Sequence, residues 1–282
     1  MKKAFIAGHP IKHSRSPLIH GYWLKEHGID GSYERIDVAP VNFGDFLKSF
    51  ERQGFVGGNV TIPHKEAAFA AVDRMTARAE RLGAVNTLWI ESGQIWGDNT
   101  DVLGFMAHLD QSLGIAWEQN VDTALVLGAG GAARGIVAGL QDRSLKRILV
   151  TNRTRERAEE LVRGLSGTGA VKIETLAWHE LDRGVAQAQL IVNTTSLGMA
   201  GQPPLPTDLS QAPDNAIVSD IVYVPLRTPL LAAAERRGLR TVDGLGMLLH
   251  QAAPGFERWF GVKPQVTPEL RAMIVADLES HS

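Results

Sequence analysis

Short apolar runs alternate with amphipathic stretches along most of this chain. Residues 4–8 form a compact apolar run that His9 and Pro10 cut off, and 33–38, 56–60 and 84–90 repeat the pattern; each predicts a strand. Between them, 17–27 predicts a helix with Ser16 as N-cap and Pro17 at the first helical position. Residues 42–53 and 66–82 predict two more helices, the second broken near Asp73. Glu91-Ser92-Gly93-Gln94 reads as the turn of a local hairpin at a sheet edge. Strands and helices alternating at this spacing predict an α/β fold with a largely parallel sheet.

After a helix at 102–113, the polar stretch 116–122 suits a linker, and a second βα series begins. It runs through a strand at 123–127, a glycine turn, a helix at 132–140, a strand at 147–151 and a helix at 155–165. Further strands are expected near Val171, at 190–193 and at 216–220, with a Pro-rich loop over 201–215. From residue 244 onward two helices are expected, 244–260 and 267–279. The sequence contains no internal repeat and no low-complexity tract.

Composition then narrows the function. Two domains are the prior for 282 residues, and 29 Lys+Arg against 31 Asp+Glu leave a net charge of −2, with no basic stripe for nucleic acid and no pull towards anionic membrane. Cysteine is absent, which excludes disulfides, thiolate metal sites and cysteine nucleophiles. The nine His show no H-E-x-x-H or similar ligand spacing, so no metal is expected. Lys2 and Lys3 precede an apolar run too short for a secretory signal, and no run approaches a membrane span. A soluble, cytoplasmic protein is expected.

Gly128-Ala129-Gly130-Gly131-Ala132-Ala133 fits G-x-G-x-x-A between an apolar strand and a helix, the context a dinucleotide site requires. Gly128 permits the tight turn, Gly130 presents no Cβ to a pyrophosphate, and Ala133 is small enough for close helix–strand packing. The helix N-terminus beyond offers N–H groups to phosphates. An NAD site usually places a carboxylate about 20 residues further on, for the ribose. Here the second strand ends in Asn152-Arg153-Thr154-Arg155-Glu156-Arg157 instead. Arginines there suit a 2′-phosphate and point to NADP, although the same residues also describe a solvated charged helix with Thr154 as its N-cap.

Three polar segments cluster at predicted strand ends in the first half. In His13-Ser14-Arg15-Ser16-Pro17, the hydroxyls of Ser14 and Ser16 beside a helix start can hold a carboxylate, or Ser16 can simply cap. In Asn59-Val60-Thr61-Ile62-Pro63-His64-Lys65-Glu66, Lys65 can act as a general acid/base, or sit solvated at a helix start. In Ala84-Val85-Asn86-Thr87 and Gly97-Asp98-Asn99-Thr100-Asp101, Asn86 and Asp101 have the chemistry to bind sugar-like hydroxyls. Asp101 can orient Lys65 or cap the next helix. A Lys–Asp pair beside a nicotinamide cofactor suffices for alcohol oxidation. His9, His13 and His64 lie nearby and are read as packing or hydrogen-bonding residues.

Together these segments resemble the shikimate/quinate dehydrogenase family nearly end to end. The second half adds Asn193-Thr194-Thr195-Ser196-Leu197-Gly198-Met199, Asp220-Ile221-Val222-Tyr223 and the run from Asp243-Gly244-Leu245-Gly246 to Gln251-Ala252-Ala253. The resemblance implies NADPH-dependent, reversible reduction of 3-dehydroshikimate to shikimate in aromatic amino-acid biosynthesis. It implies that Lys65 and Asp101 are catalytic, and that Ser14, Ser16, Thr61, Asn86, Asp101, Tyr223 and Gln251 bind substrate. Gly128, Ala129, Gly130, Gly131, Ala132, Asn152, Arg153, Thr154, Arg157, Ile221 and Gly244 would line the NADP site.

Three positions depart from the family's common pattern. Val102 stands where Gly is usual, His64 where an aromatic such as Phe is frequent, and Ala77 where an acidic residue is common; His64 would alter the polarity beside Lys65. The expected architecture is an N-terminal α/β substrate domain over 1–101 and a Rossmann-type NADP domain over 102–240. C-terminal helices over 241–282 would pack back on the first domain, carrying Gln251. A quinate/shikimate dehydrogenase of broader range, or a non-catalytic NADP-binding or sensing protein, are the alternatives. Monomer and homodimer are both open.

Overall fold

The computed structural model describes residues 1–167 and 169–280; residues 168, 281 and 282 lie outside the description. The chain divides into two compact units, Met1–Gly104 with Leu249–Ser282, and Phe105–Leu248. No helix among the described residues is long and apolar enough to cross a membrane.

The first unit is built on strands β1 (Lys2–Gly8), β2 (Gly31–Asp37), β3 (Phe55–Val60), β4 (Arg74–Met75), β5 (Thr87–Glu91) and β6 (Gln94–Asp98). Its helices are α1 (Ser16–Glu26), α2 (Phe43–Ser49), α3 (Lys65–Ala71) and α4 (Ala77–Leu82). Sheet order is β2-β1-β3-β5-β6-β4, with β1 parallel to β2 and β3, and the β5–β6 hairpin antiparallel to β3 and within itself. Ser92 and Gly93, both at positive φ (54° and 74°), make the hairpin turn between Glu91 and Gln94. One expectation needs correction here: the hairpin is not the edge, because the short β4 pairs outside β6, and the sheet is parallel apart from the pairings the hairpin makes. Where the helix was expected to break, near Asp73, α3 ends at Ala71 and the two residues Arg74–Met75 form β4.

Phe5 in β1 meets Phe46, Phe50 and Phe55 edge-on at 5.0–5.3 Å, which seats α2 on one face of the sheet. On the other face α1 packs with the C-terminal helices α10 (Leu245–Phe260) and α11 (Pro268–Ser280), whose residues from Leu249 on belong to this unit. Trp259 donates its indole N–H to the Leu88 carbonyl at 2.8 Å, and Trp23 donates to the Gln265 carbonyl at 2.9 Å. The C-terminal segment from Leu249 on therefore packs with the first unit, whereas residues 241–248 belong to the second.

The second unit holds α5 (Asp101–Leu113) from Phe105 on, then β7 (Thr123–Leu127), α6 (Gly131–Gln141), β8 (Arg147–Thr151), α7 (Arg155–Leu165), β9 (Lys172–Leu176) and α8 (Leu181–Val185). It continues with β10 (Leu190–Asn193), β11 (Ile217–Asp220), α9 (Pro229–Arg236) and β12 (Arg240–Val242). The order β12-β11-β10-β7-β8-β9 is parallel throughout, a doubly wound sheet whose strand order reverses between β7 and β10. Strand residues such as Leu125, Leu127, Ile191 and Val218 are buried, as a sheet covered on both faces requires. The stretch 116–122 is no linker: it forms a short turn of helix inside this unit, where buried Trp117 donates to Asp110 at 2.9 Å.

One core group stands out. His20 on α1 is fully buried, stacked on Tyr33 at 3.9 Å, with Trp23, Phe256 and Trp259 around it. Neither ring nitrogen meets a hydrogen-bond partner among the described residues. Burial pushes its pKa down from 6.5 to about 3, so the folded chain holds it neutral. Below pH 6.5 the unfolded chain binds a proton that the folded chain does not, and stability falls by about 1.4 kcal/mol per pH unit towards the folded value. His20→Phe keeps the stack and removes two unsatisfied atoms, so we expect it to stabilise the protein by about 1–2 kcal/mol at pH 7. Urea unfolding at pH 7 and pH 5 should show the variant losing about 2 kcal/mol less than the wild type over that interval. An unchanged difference would place the titration elsewhere.

Candidate active site

In the first unit, strand direction sets which residues meet. The C-terminal ends of β1, β3 and β6 and the start of β5 lie along one edge of the sheet, since β5 runs antiparallel to β3 and β6. Ser14 and Ser16 follow β1, Thr61 and Lys65 follow β3, Asn86 precedes β5, and Asp101 follows β6. The Lys65 ammonium donates to Asp101 Oδ2 at 2.5 Å, with the two side chains 31% and 23% exposed. Asn86, 2% exposed, donates its amide to Asp101 Oδ1 at 2.9 Å. Both carboxylate oxygens are thus taken by side chains, and the Asp101 N–H donates to Asn99 Oδ1 at 3.1 Å. A forked contact from Arg78 to Asp98 (2.6 and 3.2 Å) pins the turn that leads into Asp101.

The serine loop is held as firmly. Arg35 on β2 places two donors on the Ser14 carbonyl, at 2.7 and 3.0 Å, and Arg15 pairs with Asp277 of α11 at 2.8 Å. Ser16 is not the N-cap expected from its position. Arg15 occupies that place without a side-chain cap, Ser16 is the first helical residue, and its N–H meets the Ser14 hydroxyl at 3.3 Å. Ser16 is itself buried, at 5% exposed. Burial pushes the Tyr33 phenol well above its ordinary range, so it stays protonated.

His64 turns away from Lys65 into the core. Its ring stacks on Phe43 at 4.3 Å and Nε2 lies 2.7 Å from the Val38 carbonyl. It fills the place of the aromatic side chain frequent there, leaving the polarity around Lys65 to other groups. His9 pairs with Asp37 at the surface, and His13 is exposed. Gln251 is 9% exposed on α10, on the segment that joins the first unit. Tyr223 follows β11 in the second unit and is half-buried.

The second unit concentrates its glycine turn at the point where strand order reverses. Gly128 ends β7 at φ 115°, and a Cβ there would lie 2.4 Å from the Thr194 hydroxyl beyond β10. Thr194 donates both its N–H and its hydroxyl to the Leu127 carbonyl, at 2.8 and 2.7 Å, which closes the turn. Gly130, at φ −88°, is the N-cap of α6; space opens around it and around Gly131, while Ala133 is fully buried against the sheet. Ala129 and Ala132 flank these positions. At the end of β8, Asn152 donates to the Thr154 carbonyl at 2.8 Å. Thr154 is the N-cap of α7, though its side chain makes no cap bond. Arg155 pairs with Glu159 at 2.7 Å, whereas exposed Arg153 and Arg157 have no ion-pair partner among the described residues. Gly244 packs so closely on the Ile221 carbonyl that a Cβ would come within 2.2 Å. Asp220 beside them accepts from Asn193, Val222 and Thr228, yet burial still pushes its carboxyl above the usual range.

These two polar edges can be set beside known proteins. Residues 6–88 match the family described as shikimate dehydrogenase substrate binding domain, 113–200 that described as shikimate / quinate 5-dehydrogenase, and 244–272 the shikimate 5'-dehydrogenase C-terminal domain. The chain is 62% identical over 278 residues to the shikimate dehydrogenase (NADP(+)) of Methylobacterium radiotolerans, covering 98% of this chain and 97% of that one. This chain belongs to the shikimate dehydrogenase family. Among solved structures of similar fold, the quinate dehydrogenase of Corynebacterium glutamicum in complex with NAD aligns at TM-score 0.89 and 29% identity, covering 98% and 99% of the two chains. The shikimate 5-dehydrogenase of Thermus thermophilus, in complex with NADP(H) and shikimate, aligns at 0.84 and 34%, covering 99% and 100%.

For this family member, the sequence reading passed over Arg35, Arg78 and Tyr33, which hold the site residues from behind. The only signal for them was a polar side chain at a strand or helix position without an evident partner. The glycines separate fold from binding. Gly128→Ala should cost about 1–3 kcal/mol through its positive φ and the clash with Thr194. Gly130→Ala has room and an ordinary φ, so it should leave the melting temperature unchanged while weakening dinucleotide binding about 10-fold. Thermal melts with dinucleotide titration check both, and equal destabilisation by the two variants would refute the separation.

Proposed function

We propose that this chain is an NADP-dependent shikimate dehydrogenase, catalysing the reversible reduction of 3-dehydroshikimate to shikimate in cytoplasmic aromatic amino-acid biosynthesis. The single observation that carries the reading is the Lys65–Asp101 pair fixed by Asn86, in a chain whose family and relatives bear that name. The residues of the second unit fit the cofactor. The open space at Gly130 and Gly131 admits a pyrophosphate at a helix N-terminus, and unpaired Arg153 and Arg157 suit a 2′-phosphate in place of a ribose carboxylate.

When bound, NADPH supplies the hydride. Lys65 donates a proton to the ketone oxygen as it is reduced, and takes it back from the hydroxyl in the reverse direction. Asp101 holds the ammonium in place and balances its charge. Ser14 and Ser16 donate hydroxyl protons to the substrate carboxylate; Thr61, Asn86, Asp101, Tyr223 and Gln251 meet its ring hydroxyls. A non-catalytic NADP sensor would have no use for a lysine ammonium held on a carboxylate at a sheet edge.

Absorbance of the nicotinamide, followed with shikimate or quinate and NADP or NAD, tests the reading. Shikimate with NADP should give the highest kcat/KM, and no turnover with any pair would retire the activity. Lys65→Ala should lower kcat about 100-fold or more with KM little changed; a rise in KM alone would make Lys65 a binding residue. Arg153→Ala should weaken NADP at least about 10-fold more than NAD. Equal losses would detach Arg153 from the 2′-phosphate.

A further inference from the structure

Asn86 presents its NH2 to Asp101, and the reverse orientation of this amide would set a carbonyl oxygen against a carboxylate. What holds the amide lies behind it. Asn86 Oδ1 faces three donors: the Thr100 N–H at 2.8 Å, the Thr87 hydroxyl at 2.8 Å and the Thr100 hydroxyl at 3.1 Å. Thr87 has one proton to give. Its oxygen accepts from Asn59 Nδ2 at 3.0 Å, so that proton must point onward. It reaches Asn86 Oδ1 directly, or the Thr100 hydroxyl at 3.0 Å, which then donates to the same oxygen. Either way the donors converge on Asn86 Oδ1.

Asn59 is fixed in turn. Its amide gives one N–H to Thr87 and the other to the Asn86 carbonyl at 3.0 Å, leaving Oδ1 as an acceptor. The Tyr33 hydroxyl donates to that oxygen at 2.6 Å. All of these side chains are buried, with Asn59, Asn86, Thr87 and Thr100 at most 5% exposed, so water does not compete for their protons. A continuous buried run thus joins Tyr33 on β2 to Asn86 beside the Lys65–Asp101 pair.

We propose that Tyr33, Asn59 and Thr87 are positioning residues, a one-directional relay of hydrogen bonds that fixes the Asn86 amide and thereby holds Asp101 in register with Lys65. The proposal rests on the activity given under Proposed function. None of the three need touch substrate: they act through Asn86, so their loss should affect the proton-transfer step more than substrate affinity.

Thr87→Val keeps the shape and removes both the acceptor for Asn59 and the donor to Asn86. We expect kcat for shikimate oxidation to fall about 10-fold, with shikimate affinity, read by tryptophan fluorescence, within about 3-fold of wild type. The solvent deuterium isotope effect on kcat should rise, because proton transfer becomes more rate-limiting. Thr87→Ser, which restores the hydroxyl, should recover most of kcat. Tyr33→Phe removes the first donor and should lower kcat about 3- to 5-fold with the same rise in isotope effect, giving a second reading if the valine variant folds poorly. Wild-type kcat and isotope effect in both Thr87→Val and Tyr33→Phe would overturn the relay, as would a serine variant as impaired as the valine one. An inactive wild type would overturn the activity and the relay's catalytic role together, whereas an active wild type with unaltered variants overturns the relay alone.

Discussion

A lysine ammonium and an aspartate carboxylate 36 residues apart are held 2.5 Å from each other, both part-exposed, at the rim of a sheet. Two long side chains left free in water would gain little from such a contact, because the entropy of holding them offsets the Coulomb term. The pair persists through what fixes each end. Lys65 begins α3 after the turn 61–64 that follows β3, a turn held by the Thr61 N–H on the Ala7 carbonyl at 2.9 Å and the His64 N–H on the Thr61 carbonyl at 2.8 Å. Asp101 follows β6 through a turn pinned by Arg78 on Asp98 and by the Asn99 side chain on the Asp101 N–H. Sheet order β3-β5-β6 puts both strand ends on one edge, with Asn86 between them at the start of β5. The hairpin is what makes this possible: a wholly parallel sheet would carry the start of β5 to the opposite edge.

The second unit meets the opposite demand, for absence of side chains. Its reactive edge is defined by where backbone stands clear: Gly128 turned tightly against Thr194, Gly130 and Gly131 open at the start of α6, Gly244 against Ile221. Both units place their polar chemistry at the C-terminal ends of strands, as open α/β sheets do. The first fills the edge with fixed polar side chains, and the second leaves open space at Gly130 and Gly131, where a helix begins.

Much of this was legible in the sequence where one segment carries its own signal. The apolar strands of the second unit, the glycine turn and Arg153 are local features, read from period and spacing. What escaped depends on partners far apart in the chain. The two-residue β4 has no periodicity of its own and exists because β6 offers it an edge. Helix α9 and strand β12 were likewise not read in advance, being short and lying beyond a proline-rich loop. Ser16 sits where a cap belongs by sequence, yet Arg15 holds the cap position and Ser16 is the first helical residue. His64 beside a lysine invites an electrostatic reading, and only the ring of Phe43, 21 positions earlier, shows it as a core aromatic. Tyr33 and Asn59 are 26 residues apart, and Asn59 and Thr87 are 28. Each is an unremarked polar residue in a strand until the register places them together.

The aromatic cluster under the serine loop brings one satisfied and one unsatisfied polar side chain into face-to-face contact. Tyr33 is buried with its hydroxyl donating to Asn59, and His20 lies flat on it at 3.9 Å with neither ring nitrogen partnered among the described residues. An isolated buried imidazole is destabilising, and nothing in the packing of Trp23, Phe256 and Trp259 demands a nitrogen there. Its ring plane, however, lies within 13° of the Tyr33 ring, whose phenol O–H leaves the cluster towards Asn59. Stability lost at His20 sits next to the first donor of the run that ends on Asp101. Cores relax towards apolar contacts where only stability is at stake, and hold polar groups where orientation matters. The orientation at stake in this core is that of a phenol whose hydrogen bond leads, through two amides and a threonine, to the carboxylate beneath Lys65.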